Sequence, residues 1–149
     1  MTPDALANLH ARAFVGQGRA WSAAEFADLL ASPLVFAVGD MRGFALGRVI
    51  ADEAEVLTIA TDPKARRQGV ARACLAAFER TAAKRGARSA FLEVADDNTA
   101  ARGLYGAAGY TQAAVRKGYY PRPNQTAVDA LILRRDLTDT PVDCGKSEI

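Results

Sequence analysis

The chain is poor in the residues that metal, redox and disulfide chemistry require. Its 149 residues include one histidine, His10, and two cysteines, Cys74 and Cys144. Two thiols far apart in sequence, with no second pair, build no disulfide framework. Cys74 falls among apolar residues and reads as a core filler, while Cys144 sits in a polar tail, so both are expected as reduced thiols of a cytoplasmic protein. Without a Cys/His cluster no metal site is expected, and His10 reads as a structural or surface residue. No apolar run approaches the roughly 20 residues that cross a bilayer. The opening Met1-Thr2-Pro3-Asp4-Ala5-Leu6 lacks the basic region and apolar core of a secretory signal. Charge of one sign is also missing: 19 basic residues face 17 acidic ones, a net charge of +2. Bulk charge therefore implies no polyanion, and any basic function must come from local clustering.

What is present is an ordinary globular balance, half hydrophobic and about a quarter charged. At this length one domain buries roughly two-thirds of its unfolded surface. No repeat or low-complexity linker divides the chain, which predicts a single domain over residues 1–137. Residues 138–149 carry no periodicity and are expected as a flexible tail.

Residues 3–14 place Leu6, Leu9, Ala13 and Phe14 on one helical face, with Pro3 acceptable in the first turn. Ser22-Ala23-Ala24-Glu25 is a capping-box pattern, so a second helix starts at Ser22 and ends before Pro33. Strands are expected over 34–38 and 44–50, joined by a turn at 39–43, and a third over 54–61, stopped by Asp62-Pro63. Residues 69–84 form an Ala-rich amphipathic helix with Cys74, Leu75 and Phe78 inward and Gly86 as its stop. A short apolar strand follows over 90–95. Asp97 or Asn98 caps a further helix over 99–107, ended by Gly109, and two strands over about 110–115 and 128–134 close the domain. This order describes an α/β or α+β domain with a mixed sheet.

One segment stands out chemically. After the strand 54–61 comes a basic loop, then a helix start at Gly69, the arrangement in which uncapped N–H groups and the helix dipole meet an anion. Gly69 and Ala71 allow close approach to the backbone, and Lys64, Arg66, Arg67 and Arg72 concentrate positive charge. No Gly-Lys-Ser/Thr follows, and the glycine spacing is not that of a dinucleotide fold. On residue chemistry alone a solvated basic helix start fits equally well.

Arg66-x-x-Gly69-x-Ala71, directly after a strand ending in Asp-Pro, resembles the Gln/Arg-x-x-Gly-x-Gly/Ala motif of the GNAT acetyltransferase superfamily. Asn98, Leu104-Tyr105 and Gly109-Tyr110 downstream agree with that resemblance. Within the superfamily, residues 21–137 resemble the RimI-like enzymes, which acetylate the N-terminal alanine of small-subunit ribosomal protein eighteen. The residues that carry this are Trp21-Ser22 with Phe26, Leu92-Glu93-Val94, Asn98-x-Ala100-Ala101-x-x-Leu104-Tyr105, Arg116-x-x-Tyr119-Tyr120-Pro121 and Asp129-Ala130. Three positions depart from the family: Ala20 where Pro is frequent, Arg66 where Gln is usual, and Val128 where Glu is common. The last removes a carboxylate near the expected peptide groove.

The resemblance implies a GNAT-type fold, a mixed and mostly antiparallel central sheet with helices on both faces. It implies acetyl-CoA as co-substrate and no metal. Ile59, Ala60 and Thr61 would contact the cofactor, Arg66, Arg67, Gln68, Gly69, Val70, Ala71 and Arg72 its pyrophosphate end, with Asn98 and Tyr105 also at the cofactor. A backbone N–H near Ile59 would meet the oxyanion. Trp21, Tyr119, Tyr120 and Asp129 would form the peptide side, although the tyrosines could equally staple a strand to a loop.

Glu93 and Tyr105 are the candidate base and acid. Glu93 interrupts an otherwise apolar strand, where an acid is costly unless paired or functional. The alternative is an edge residue facing solvent. An α-amino group has a reference pKa near 8, so roughly a tenth is neutral at pH 7, and a carboxylate acting through water suffices as base. Tyr105 could instead be helix packing, and Asn98 a simple cap. The partners expected are acetyl-CoA and a protein N-terminus, that of a ribosomal protein, with no nucleic acid and no membrane, on a monomer or weak dimer. A non-catalytic acyl-CoA sensor would need neither Glu93 nor Tyr105. Nucleic-acid binding lacks the interleaved aromatics.

Overall fold

The computed structural model describes residues 1–14 and 19–139. Those residues form four helices, α1 Pro3–Ala13, α2 Ala23–Leu30, α3 Val70–Lys84 and α4 Thr99–Ala107. They form six strands, β1 Val35–Asp40, β2 Gly43–Ile50, β3 Glu53–Thr61, β4 Ser89–Ala95, β5 Thr111–Arg122 and β6 Gln125–Asp136. The expected Cys144 and most of the expected tail lie outside the described residues.

Local chemistry sets the helix starts. Thr2 accepts the Ala5 N–H at 3.1 Å, and Ser22 and Glu25 close both halves of the capping box at 3.2 and 3.0 Å. Asn98, not Asp97, caps α4 by accepting the Ala101 N–H at 3.2 Å.

The strands make one sheet in the order β1-β2-β3-β4-β6-β5, antiparallel throughout except for the parallel pair β3/β4. Helices cover both faces. On one face α1 and α2 bury Leu6, Leu9 and Phe26 against Phe44, Leu46 and Ala60. On the other, α3 buries Cys74, Leu75 and Phe78 against Phe36, Ala45, Val56 and Leu92, joined by Tyr105 of α4. Each fully buried Phe or Leu here contributes about 1.5–3 kcal/mol of transfer free energy. The mixed, mostly antiparallel sheet with helices on both faces is the architecture expected from the sequence.

Strand β3 is irregular in two respects. Leu46 pairs with Thr58 but its neighbour Gly47 pairs with Val56, so Leu57 is an extra residue, a β-bulge. Val56 and Thr58 would share a face in a regular strand. The bulge turns Thr58 and then Ala60 to the α1 side while Val56 stays in the α3 core. Secondly, β3 and β4 pair only from Glu53↔Ser89 to Glu55↔Phe91. Beyond that point each follows its antiparallel neighbour, and the two strands splay.

The last hairpin is longer than the sequence suggests. Both strands have 12 residues, where about six and seven were expected. β5 is exposed along almost its whole length and its register shifts between Arg116 and Tyr120, so it has no alternation to read. The β1–β2 turn is also tighter than 39–43. Only Met41 and Arg42 lie between the strands, braced by Asp40 Oδ1 accepting the Arg42 N–H at 2.9 Å.

Candidate active site

The splay opens a crevice at the carboxyl ends of two parallel strands, the position where open α/β sheets take ligands. One wall is Ile59, Ala60 and Thr61 of β3. From its end the chain enters a short 3₁₀ turn, Pro63–Ala65, capped by Asp62, which accepts the Lys64 N–H at 3.0 Å and pairs with Arg12 at 3.1 Å. Ala65 is buried and anchors the loop, while Lys64, Arg66, Arg67, Gln68 and Gly69 are exposed. Arg66 reaches back to the Ala13 carbonyl at the end of α1, 3.4 Å away.

The helix start fits an anion. Gly69 caps α3 with φ 75°, in the left-handed region, and no side chain caps the first N–H groups. Arg67 shares that backbone region at φ 64°, and a β-carbon at Gly69 would meet nothing within 4 Å. The approach to this helix end is therefore open. Gly43 holds it close to the crevice, because a β-carbon there would lie 2.6 Å from Val70 and 2.9 Å from the Ala60 carbonyl oxygen. Successive uncapped N–H groups of Val70, Ala71 and Arg72, flanked by guanidiniums, form a donor set that suits an anion.

The other wall is β4. Ala90, Leu92 and Val94 point into the α3 core, so Glu93 lies on the opposite face. β4 is an interior strand, which removes the edge-residue alternative for Glu93. The carboxylate is half-buried and doubly partnered. Tyr120 donates its hydroxyl to Oε2 at 3.3 Å, and the Arg116 Nε lies 3.6 Å from Oε1. Both partners come from β5 and reach across β6. Burial, and next to it the charge of Glu93, push the Tyr120 phenol up to about 12, so it remains a hydrogen-bond donor at neutral pH.

Tyr119 is half-exposed and packs edge-on against Tyr120 at 5.1 Å, with the Arg116 guanidinium 5.2 Å from its ring centre. Arg122 grips Asp97 through two bonds of 2.8 and 2.9 Å and covers the Tyr120 ring at 5.6 Å. The hairpin tip is thereby fastened to the loop after β4. Asp129 accepts the Gly118 N–H at 2.9 Å and pairs with Lys117 at 3.4 Å, which locks the irregular part of β5. Those bonds hold its carboxyl below the usual range.

Tyr105 is 5% exposed and packs against Tyr110 at 5.9 Å, and burial pushes its phenol up to about 12. Among the described residues its hydroxyl has no hydrogen-bond partner. Asn98 spends its side-chain oxygen on the α4 cap. Trp21 is not in contact with Glu93 or the tyrosine pair. Its ring sits in the α1–α2 core beside His10 at 5.3 Å and Phe26 at 5.6 Å. The fold thus brings Glu93, Tyr119, Tyr120 and Arg116 together and keeps Trp21 and Asp129 in separate contacts.

Sequence reasoning singled out neither Arg122 nor Asp97 as a clasp, and gave Arg116 only as part of a motif. It also left out the buried Tyr110–Glu79–Arg135 chain, with bonds of 2.9 and 2.7 Å. Glu79, an acid on the inward face of α3 beside Leu75 and Phe78, was the available signal. A second concavity of about 410 Å³, lined by Arg88, Arg134 and Arg135 among others, lies at the opposite end of β4 and shares nothing with the crevice.

A splayed parallel pair opening toward an uncapped helix start is the geometry of an acyl-CoA-dependent acetyltransferase fold, and the family model described as the acetyltransferase (GNAT) family matches residues 4–110. The chain belongs to that family. It is 40% identical over 95 residues to the ribosomal protein bS18-alanine N-acetyltransferase of Escherichia coli strain K12, an alignment covering 64% of each chain. It is 37% identical over 142 residues to N-alpha-acetyltransferase RimI of Mycobacterium tuberculosis, covering 89% of this chain and 85% of that one. The crystal structure of the ribosomal-protein-S18-alanine N-acetyltransferase from Escherichia coli superposes with a TM-score of 0.80 at 31% identity, over 93% of this chain and 90% of that one. The chain spans just under two-thirds of the Escherichia coli relative's length in the sequence alignment.

Proposed function

We propose that this protein transfers the acetyl group of acetyl-CoA to the α-amino group of a protein N-terminus, most specifically an N-terminal alanine of the small-subunit ribosomal protein on which its relatives are named. One observation carries the reading. The crevice between β3 and β4 has an open anion-binding helix start on one wall and a carboxylate clasped by Tyr120 and Arg116 on the other. The relatives' names supply the acceptor.

Acetyl-CoA, when bound, supplies a thioester whose carbonyl is open to attack by an amine. Arg66, Arg67, Gln68 and the N–H groups from Gly69 to Arg72 hold its diphosphate, with Ile59, Ala60, Thr61 and Asn98 along the arm. Glu93 accepts the proton of the incoming ammonium through water, a modest task because an α-amine has a pKa near 8. The N–H near Ile59 faces the developing oxyanion. Tyr105, kept protonated by burial, donates at its hydroxyl to the departing sulfur. Tyr119 and Tyr120 wall the acceptor's first residues, and Asp129 fixes the irregular part of β5 that carries them, whereas Trp21, in the α1–α2 core, is no part of that wall. Residues 1–137 constitute the catalytic domain, and a cytoplasmic location suits a ribosomal acceptor.

Val128 and the engagement of Asp129 by Gly118 and Lys117 favour a second reading in which the acceptor is another protein N-terminus, because no free carboxylate is left on that strand to meet a basic peptide. Intact-mass analysis of peptides with free N-termini, incubated with acetyl-CoA, tests both. One acetyl group on an Ala-initiated ribosomal peptide is expected. Glu93→Gln and Tyr105→Phe are expected to slow transfer by about 10²–10⁴-fold with acetyl-CoA binding retained. Wild-type turnover in both variants would overturn their roles, and transfer only to lysine side chains or small amines would overturn the N-terminal reading.

A further inference from the structure

His10 is fully buried, and no step of the proposed reaction uses it. It packs face-to-face on Phe14 at 3.9 Å and on Trp21, and edge-on to Phe26 at 5.5 Å, with Phe44 at 6.4 Å. An apolar ring would fill the same space. What histidine adds is two polar atoms aimed at two separate segments. The Trp21 backbone N–H donates to Nδ1 at 3.1 Å, so that nitrogen carries no proton. The proton is therefore on Nε2, which donates to Thr58 Oγ1 at 3.1 Å. The nearest charged groups, Arg19 and Glu25, pair with each other at 2.6 Å on the exposed side and leave both ring nitrogens to these partners.

Thr58 faces His10 only because of the Leu57 bulge, and it directly precedes Ile59, Ala60 and Thr61, the crevice wall. Trp21 enters the Ser22 cap of α2. We infer that His10 is a positioning residue whose two ring nitrogens tie the chain entering α2 to the bulged segment of β3 that walls the crevice. The tie fixes where the N–H groups after the bulge point, and it makes the α2 entry respond to what occupies the wall. This inference rests on the acetyltransferase reading for its kinetic consequence but not for the physical link.

The link can be read from Trp21, the only tryptophan of the chain. In the wild-type protein acetyl-CoA binding is expected to change Trp21 emission. In Thr58→Val acetyl-CoA is expected to bind within about twofold of wild type while the emission change is lost. Its kcat is expected to fall by about tenfold or more, with KM for acetyl-CoA nearly unchanged, as misdirected catalytic groups cause. Thr58→Ser, which keeps the hydroxyl, is expected to restore both. His10→Leu, which removes both ring nitrogens, provides a second route if Thr58→Val folds poorly, and it too is expected to lose the emission change. A wild-type Trp21 that ignores acetyl-CoA, or a Thr58→Val protein with wild-type kcat and emission response, overturns the proposal. Absence of peptide acetylation with the emission change intact overturns the function and leaves the link standing.

Discussion

The buried His10 ring implies a stability change at mildly acidic pH whose size follows from its surroundings. Burial lowers its pKa from 6.5 to about 4, and the opposing charges of Glu25 and Arg19 contribute less. Between those two values the unfolded chain binds a proton that the native chain refuses, so stability rises with pH across this window. It is fully present above about 6.5 and is lost as pH falls toward 4. With 1.36 kcal/mol per pKa unit, the loss between pH 7.5 and 4.5 comes to about 2.5 kcal/mol, a large fraction of a typical 5–15 kcal/mol. The cause is geometric as well as dielectric, since a proton on Nδ1 would confront the Trp21 N–H. His10→Phe retains the aromatic packing and removes the titration. It has its own fixed cost, from the bonds to Trp21 and Thr58, at every pH. Urea unfolding of both proteins at pH 7.5 and 4.5, followed by far-ultraviolet circular dichroism, isolates the histidine because carboxylates such as Glu25 and Asp62 titrate in both. The gap between wild type and variant is expected to shrink by about 2.5 kcal/mol at the lower pH. Parallel loss of stability in the two proteins would refute the reasoning.

Three further outcomes are expected. Gly47→Ala would press a methyl group to 2.5 Å from the Phe78 ring and 2.8 Å from Phe36, and is expected to cost about 1–3 kcal/mol in urea unfolding, part of it recovered by adding Phe78→Leu. Glu79→Ala leaves Arg135 and Tyr110 without their buried partner and is expected to cost about 3–5 kcal/mol, whereas Glu79→Leu with Arg135→Met is expected to cost far less, measured by denaturant midpoints. Tyr120→Phe removes one of the two groups that hold the Glu93 carboxylate. It is expected to lower kcat about tenfold in a steady-state acetylation assay with thermal stability nearly unchanged.

Helices were the legible part of the chain because their signals are local. The Ser22/Glu25 box, the Asn98 cap and the Gly69 helix start each lie within a few residues of what they determine, and the loop after β3 was legible for the same reason. The clasp around Glu93 was not. Arg116 and Tyr120 reach it only because β6 inserts between β4 and β5, and strand order leaves no trace in the spacing of residues. Arg122 and Asp97 are 25 positions apart, and His10 and Thr58 are 48 apart. The bulge at Leu57 was equally hidden. The segment Val56-Leu57-Thr58-Ile59 reads as one apolar strand, and only the β2 partner reveals the extra residue.

The insertion of β6 also orders the molecule in time. As the chain leaves the ribosome, β1, β2, β3 and α3 are complete by Lys84, so the half carrying the loop and uncapped helix start after β3 can condense on its own contacts. β4 then emerges with only three residue pairs to β3, and its other edge waits for Ala130 to Asp136, the closing stretch of the sheet. Until that strand slides in, Glu93 has neither Tyr120 nor Arg116. A nascent or truncated chain therefore assembles the loop and helix start after β3 first, and Glu93 gains its Tyr120 and Arg116 contacts only when β6 docks.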